Sequence, residues 1–389
     1  MEQGINIGFD AKRAFQNTTG LGQYSRTLIS SLATYYPDNE YFLFAPKKSA
    51  LFDASEFPNL YTVTPSGIIA NLFKPAWRSS WVKKDIQQLG IRVYHGLSHE
   101  IPMGIHKTGI KTVVTIHDLI HEKYPAQYNA IDVMIYRKKF RYACQYANRI
   151  IATSEQTKKD IVDLYRIPAS KINVCYQSCN PAFARLLTAE EKQAVRDKYQ
   201  LPQQYFLYVG SIIERKNLLG LCKAMNRIKD KLSVPLVVIG NGGKYQQQVK
   251  EYIAQNNLQS LVYFLAAQAF TQSLSPQQFG ADFPAIYQNA LALVYPSFYE
   301  GFGIPILEAL WSHTPVITSN TSCMPETGGD AAYYINPASD EEMAHALQKL
   351  AGDEALRQQM MAKGIQHAQR FTQQACAESV MNVYKSVVK

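Results

Sequence analysis

No apolar run in this 389-residue chain approaches the 18 or so residues that a membrane-spanning helix requires. The start, Met1-Glu2-Gln3-Gly4, has no basic or apolar leader before a strand-like stretch, so no signal peptide is expected. Cysteine is sparse. Cys144, Cys175, Cys179, Cys222, Cys323 and Cys376 are scattered through apolar or helical contexts, and the nearest pair, Cys175 and Cys179, has no second pair to complete a zinc pattern. Reduced, buried thiols in a cytoplasmic protein are therefore expected. There is no short-period repeat, and no recognisable nucleic-acid-binding module accompanies the basic charge, so nucleic acid is not an expected partner.

What is present is length and a lopsided charge. A chain of 389 residues exceeds one ordinary core, and 47% hydrophobic content fits a globular protein, so two domains are expected. The net charge is +9, and residues 1–180 hold 22 Lys+Arg against 14 Asp+Glu, whereas the remainder is nearly balanced. A basic N-terminal half suits an anionic membrane face or a phosphorylated substrate.

Short apolar runs alternate with helical patterns throughout. Ile5–Asp10, Tyr41–Ala45, Leu60–Val63, Val93–His95, Lys111–Ile116, Ile150–Thr153 and Ile172–Tyr176 read as strands, with helices over Leu21–Tyr35 and Asp132–Asn148. Asn180-Pro181, within Ser178–Leu187, interrupts the alternation as a linker. The pattern then restarts with strands at Tyr205–Val209, Pro235–Ile239, Leu261–Leu265, Leu291–Tyr295, Pro315–Thr318 and Tyr333–Ile335, and ends in a helical tail. Alternation of this kind specifies parallel, doubly wound sheets. The expected domains are residues 1–180, residues 181–370, and a C-terminal helix, 371–389, that packs back on the first.

Four loops at strand ends carry the candidate chemistry. Pro296–Glu308 holds Glu300, Gly301, Phe302, Gly303, Ile304 and Glu308 between a strand and a helix start with Pro305 suited to its first position. Free N–H groups at a helix start attract an anion, and carboxylates accept hydrogen bonds from sugar hydroxyls. A bare strand–loop–helix turn, or an acid–nucleophile pair for hydrolysis, fits the same residues. After the Tyr205 strand, Gly210 precedes Arg215, Lys216 and Asn217; two cations beside a helix start capped by Asn217 repel one another unless an anion joins them. A solvated basic turn is the alternative. Gly20 and Gly22 open the first long helix and can cradle phosphate, although the dinucleotide fingerprint lacks its third glycine. His117 ends the Lys111 strand, suited to a sugar hydroxyl or to a purely structural role. His117 and His121 are four apart, as are His95 and His99, but that spacing converges on a metal only within a helix.

Taken together, Glu300 to Glu308, Gly20 with Gly22, His117-Asp118, Ser154-Glu155, Gly210 followed by Arg215-Lys216-Asn217, and Pro315-Val316 resemble the retaining glycosyltransferases of family 4 and their E-x7-E motif. The resemblance covers nearly the whole chain. It implies the GT-B fold, two Rossmann-like doubly wound domains facing across a cleft. It implies that Glu300 bonds the donor sugar, that backbone N–H groups of Phe302, Gly303 and Ile304 meet sugar and phosphate, and that Glu308 takes the ribose hydroxyls. Arg215 and Lys216 hold the diphosphate of a nucleotide-sugar donor, Gly20 and Gly22 complete the cradle, and His117 contacts the donor sugar. No metal or other cofactor is implied.

Gly8-Phe9-Asp10-Ala11 and Thr19-Gly20-Leu21-Gly22 look most like mannosyltransferase members, which points to GDP-mannose; a UDP-sugar donor, or a GT-B epimerase, phosphorylase or non-catalytic binding protein, are the alternatives. The chain departs from the family pattern at His313 and Ala266, where glycine is usual, and in a long segment from Ala267 to Ala285 with Phe270, Phe279 and Phe283 near the expected base site. The acceptor, a saccharide or lipid-linked saccharide, belongs to the N-terminal domain. There Phe73–Lys84 and Tyr136–Tyr142 interleave aromatics with cations, a composition suited either to peripheral docking on an anionic membrane or to ordinary surface helices.

Overall fold

The computed structural model describes residues 4–265 and 268–388. The chain divides into two compact units: residues up to Cys179 together with those from Phe371 onward, and Asn180–Arg370. Each unit is built on a sheet whose strands pair in parallel.

The first sheet contains β1 (Asn6–Asp10), β2 (Glu40–Phe44), β3 (Leu60–Val63), β4 (Val93–Gly96), β5 (Lys111–Ile116), β6 (Arg149–Ala152) and β7 (Ile172–Val174), in the order β3-β2-β1-β4-β5-β6-β7. Both faces are covered, which is why these strands read as near-continuous apolar runs. On one face, Ile7, Phe9 and Val113 pack with Leu28, Ile29 and Leu32 of the helix Gly20–Tyr35 and with Val380, Met381 and Tyr384 of the helix Gln373–Val388. On the other, Phe44, Tyr94, Val114 and Ile150 pack with Trp77, Ile86 and Cys144. A polar thread runs through the first core. His95 Nδ1 meets the Tyr384 hydroxyl at 2.6 Å, its Nε2 meets Thr115 Oγ1 at 2.8 Å, and Thr115 Oγ1 meets the Tyr24 hydroxyl at 3.0 Å. Burial, aided by His117, pushes the His95 pKa down to about 3, so the ring is neutral and its hydrogen bonds are intact near neutral pH. The last helix is thereby fastened to the sheet of the first unit.

The second sheet contains β8 (Phe206–Val209), β9 (Leu236–Ile239), β10 (Val262–Phe264), β11 (Ala292–Tyr295), β12 (Val316–Ser319) and β13 (Ala332–Ile335), in the order β10-β9-β8-β11-β12-β13. Its core joins Val238, Val294 and Ile317 to Leu218, Leu221 and Met225 of one helix and Met343, Leu347 and Leu350 of another. Strand order reverses between β1 and β4 in the first sheet and between β8 and β11 in the second. Loops leaving such neighbouring strands diverge, and a ligand-sized crevice opens at the strands' carboxyl ends. Among the described residues, no helix is long and apolar enough to cross a membrane, and no cluster of three or more His, Cys, Asp or Glu is arranged to hold a metal ion.

Two details differ from the sequence expectation. Asn217 does not cap the helix Leu218–Ile228 through its side chain. It adopts a left-handed conformation, φ 58°, and its Nδ2 donates to the Pro337 carbonyl at 2.6 Å. Pro305 is second rather than first in the helix Ile304–Trp311, behind Ile304. The Ala266 departure, and Ala267 at the head of the long segment, lie outside the described residues.

Candidate active site

The residues of the second unit converge at its switch point. The loop after β8 carries Gly210, Arg215 and Lys216; the loop after β11 carries Glu300 and leads into the helix Ile304–Trp311. Arg215 Nη1 lies 2.8 Å from Glu300 Oε1 and Lys216 Nζ lies 3.1 Å from the same oxygen. The anion that two adjacent cations require is thus a carboxylate of the chain itself. Arg215 Nη1 also donates to the Tyr299 carbonyl, and Phe298 N donates to the Arg215 carbonyl at 2.8 Å, so the two loops are stitched by backbone as well as charge.

Glu300 is 8% exposed. Burial alone raises a carboxyl pKa, but the charges of Lys216 and Arg215, with hydrogen bonds from Lys216 and Tyr295, more than offset it and hold Glu300 down to about 2. Its backbone is equally fixed: Glu300 N donates to Ser322 Oγ at 3.2 Å, and Ser322 Oγ donates to the Glu300 carbonyl at 2.8 Å. Glu308 lies one turn into the helix and accepts from the Tyr287 hydroxyl at 2.7 Å. Desolvation pushes its pKa up to about 7, against the Tyr287 hydrogen bond and the Lys216 charge, which pull it down. The two carboxylates therefore differ by environment, one committed to charge and one poised to titrate.

Two glycines shape this site. Gly210 has φ 148°, and a Cβ there would lie 3.1 Å from both Cδ and Nζ of Lys216; the missing side chain is the space in which Lys216 lies. Gly303, at φ 91°, precedes Ile304 and turns the chain into the helix, while Thr327 Oγ1 donates to the Phe302 carbonyl. Tyr295, which closes β11, and Tyr287 hold the machinery in place but were not singled out in the sequence. Their signal there is only positional, an aromatic at the carboxyl end of a buried strand and one in the helix before it.

Gly20, Gly22 and His117 belong to the first unit. Asn17 Oδ1 accepts from Thr19 N at 2.9 Å and Gly22 N at 3.1 Å, so a side chain of the chain itself occupies this helix start. A Cβ on Gly22 would meet the Asn17 carbonyl oxygen at 1.9 Å, whereas one on Gly20 would meet nothing within 4 Å. His117 is buried at the end of β5. Its Nε2 donates to the Leu97 carbonyl at 2.9 Å, Gln177 Nε2 lies 3.4 Å from its Nδ1, and the Tyr24 ring stands edge-on at 4.5 Å. Burial pushes its pKa down to about 4. Its neighbour His121 pairs with the Tyr165 hydroxyl at 3.0 Å.

Comparison with known proteins identifies the family of both units. The model for glycosyltransferase family 4 matches residues 18–183, and that for glycosyl transferases group 1 matches residues 191–367. The chain is 29% identical to O-antigen chain mannosyltransferase B of Escherichia coli over 94% of its own length and 96% of that protein. It is 27% identical to the O-antigen chain mannosyltransferase RfbU of Salmonella typhimurium over 65% of its own length and 63% of that protein. A solved glycosyltransferase structure from Rickettsia africae superposes with a TM-score of 0.75 at 16% identity, covering 100% of both chains.

Proposed function

Since the chain belongs to the glycosyltransferases, with a family 4 domain followed by a group 1 domain on a GT-B fold, we propose that it transfers mannose from GDP-mannose to a saccharide or lipid-linked saccharide, with retention of configuration and without a metal ion. The observation that carries this reading is the convergence of Arg215 and Lys216 on Glu300 beside the start of the helix Ile304–Trp311. When a donor binds, its diphosphate takes over the two cations and Glu300 is released to the sugar hydroxyls. Fixed cations and a helix start supply the charge neutralisation that a metal ion otherwise provides. Glu308 accepts from the ribose. Gly20, Gly22 and His117 serve the donor from the first unit.

The reaction breaks the bond between the anomeric carbon and the diphosphate oxygen while the acceptor oxygen bonds to the same face. The acceptor proton passes to the departing phosphate oxygen, so no protein nucleophile is needed. The first unit, with its basic surplus, receives the acceptor. Mannose and an O-antigen-like polysaccharide acceptor are supported by the similarity to the two mannosyltransferases.

Calorimetry with GDP-mannose, GDP and a series of UDP-hexoses, in EDTA and in added magnesium, tests the reading. GDP-mannose binding with undiminished affinity in EDTA is expected. Tight binding of a UDP-sugar instead overturns the donor assignment, and dependence on the divalent ion overturns the metal-free chemistry.

A further inference from the structure

The first unit exposes apolar side chains that its own core leaves uncovered. Along residues 68–81, Ile68 is 88% exposed, Ile69 67%, Leu72 73%, Phe73 53% and Trp81 43%. On the helix Ala130–Tyr146, Ile131 and Met134 are 63% and 64% exposed, and only Val133, Phe140, Ala143 and Cys144 are buried. Single exposed apolar residues are ordinary, but runs at helical spacing are not.

These segments are held firmly from beneath. The Trp77 indole donates to Asp85 Oδ2 at 2.6 Å, and Arg78 grips Asp10, at the end of β1, through Nε at 3.0 Å and Nη2 at 2.6 Å. Arg78 Nη1 and Lys139 Nζ meet the same oxygen of Glu100 at 3.1 and 3.2 Å, which ties residues 77–81 and the helix Ala130–Tyr146 to one carboxylate. The exposed apolar residues are thus presented by an anchored framework.

The surrounding charge is predominantly positive. Residues 68–84 contain Lys74, Arg78, Lys83 and Lys84 and no carboxylate; residues 131–141 contain Arg137, Lys138, Lys139 and Arg141 against a single carboxylate, Asp132. Apolar and aromatic residues flanked by cations complement the interface of an anionic bilayer, where the rings enter the headgroup layer and the cations meet lipid phosphates.

We propose that residues 68–84 and 131–141 form a docking surface for an anionic lipid bilayer, bound peripherally through Ile68, Leu72, Trp81, Ile131 and Met134 with Lys84 and Lys138 as charge contacts. The surface is independent of the donor reaction. It also lies beside the carboxyl end of β1, where Arg78 grips Asp10.

Flotation of the full chain with phosphatidylcholine vesicles, with and without phosphatidylglycerol, tests this, together with Trp81 emission. Binding that requires phosphatidylglycerol, weakens with salt and shifts Trp81 emission to the blue is expected, the shift vanishing in Trp81→Phe. The pair Lys84→Glu and Lys138→Glu weakens binding by about tenfold or more, whereas Lys111→Glu with Lys159→Glu, elsewhere on the same unit, does not. Ile68→Asp with Leu72→Asp abolishes the blue shift. If that pair fails to fold by circular dichroism, the charge-reversal pair and the Trp81 emission decide. Flotation that ignores anionic lipid, or that survives both pairs of substitutions, overturns the proposal. So does loss of a dimer in the apolar variant without any vesicle binding, which assigns the face to a second copy.

Discussion

The Tyr295 hydroxyl accepts a hydrogen bond from Lys216 Nζ at 2.9 Å, and the same ammonium stands 4.9 Å above the Tyr295 ring. Because Tyr295 also hydrogen-bonds Glu300, it positions cation and carboxylate relative to each other. Tyr295→Phe keeps the ring and removes the bridge. A buried charged group that loses one partner costs about 1–3 kcal/mol, so transfer falls on the order of tenfold in a folded protein. Glu300→Ala, Arg215→Ala and Lys216→Ala each abolish most transfer. Full activity in the Arg215 and Lys216 variants refutes their diphosphate role.

Glu308 gives the site a pH dependence. Its carboxyl ionises as pH rises through about 7, and the ionised form is the better acceptor of ribose hydroxyls. Donor affinity, measured by calorimetry, therefore tightens as pH rises across this range, and Glu308→Gln flattens the profile. Stability moves oppositely. A carboxyl raised from 4.5 to about 7 on folding contributes stability below its unfolded value that is lost as pH rises through the folded one. Glu300, depressed to about 2, contributes above 4.5 and loses its contribution as pH falls towards 2. Tyr287→Phe removes the hydrogen bond that restrains Glu308 and moves the midpoint of donor binding to higher pH.

Much of this was legible because parallel strands buried on both faces announce themselves as short apolar runs. Leu60–Val63 and Lys111–Ile116 were read to the residue, and Asn180-Pro181 marks the start of the second unit. The loops of the donor reading follow from glycine and charge at strand ends. What sequence spacing does not carry is pairing across the fold. Nothing in the order of residues says that Glu300 is the counter-ion of Arg215, that Asn17 fills the first helix start, or that Asn217 turns away to Pro337. These depend on which strands become neighbours, and β8 and β11 are 83 residues apart between Val209 and Ala292 while adjacent in the sheet.

The departure at His313 has a backbone reason. His313 holds φ 53°, the left-handed region where glycine is at ease and a side chain is strained. His313→Gly relieves that strain while loosening the unfolded chain, so a net gain of up to about 1 kcal/mol is expected. Thermal unfolding measures it, and unchanged transfer activity is expected, because His313 follows the helix Ile304–Trp311 at the end opposite Gly303.

The three phosphate-side glycines separate into testable roles. Gly210→Ala places a methyl where Lys216 lies and displaces the ammonium from Glu300, which lowers transfer by about tenfold through misplacement alone. Gly22→Ala collides with the Asn17 carbonyl and melts the helix start, visible as lost stability before any kinetic effect. Gly20→Ala meets only open space and leaves folding intact. It is the clean probe of the cradle: weaker GDP-mannose binding supports backbone approach by the donor, and unchanged binding removes Gly20 from the site.

His117 is the residue for which the two roles diverge most. Its ring is neutral above a pH of about 4 and its hydrogen bonds are made within the first unit. Deleting the imidazole leaves the Leu97 carbonyl without its donor and a void under the Tyr24 ring, so His117→Ala loses roughly 2–4 kcal/mol of stability. No histidine inflection from this ring enters the pH–rate profile near neutrality. Its proposed contact with the donor sugar is read separately, by comparing binding of GDP-mannose with that of GDP in the folded fraction of the variant. A loss confined to GDP-mannose assigns His117 to the sugar, and an equal small loss for both confines it to holding the end of β5 against Leu97.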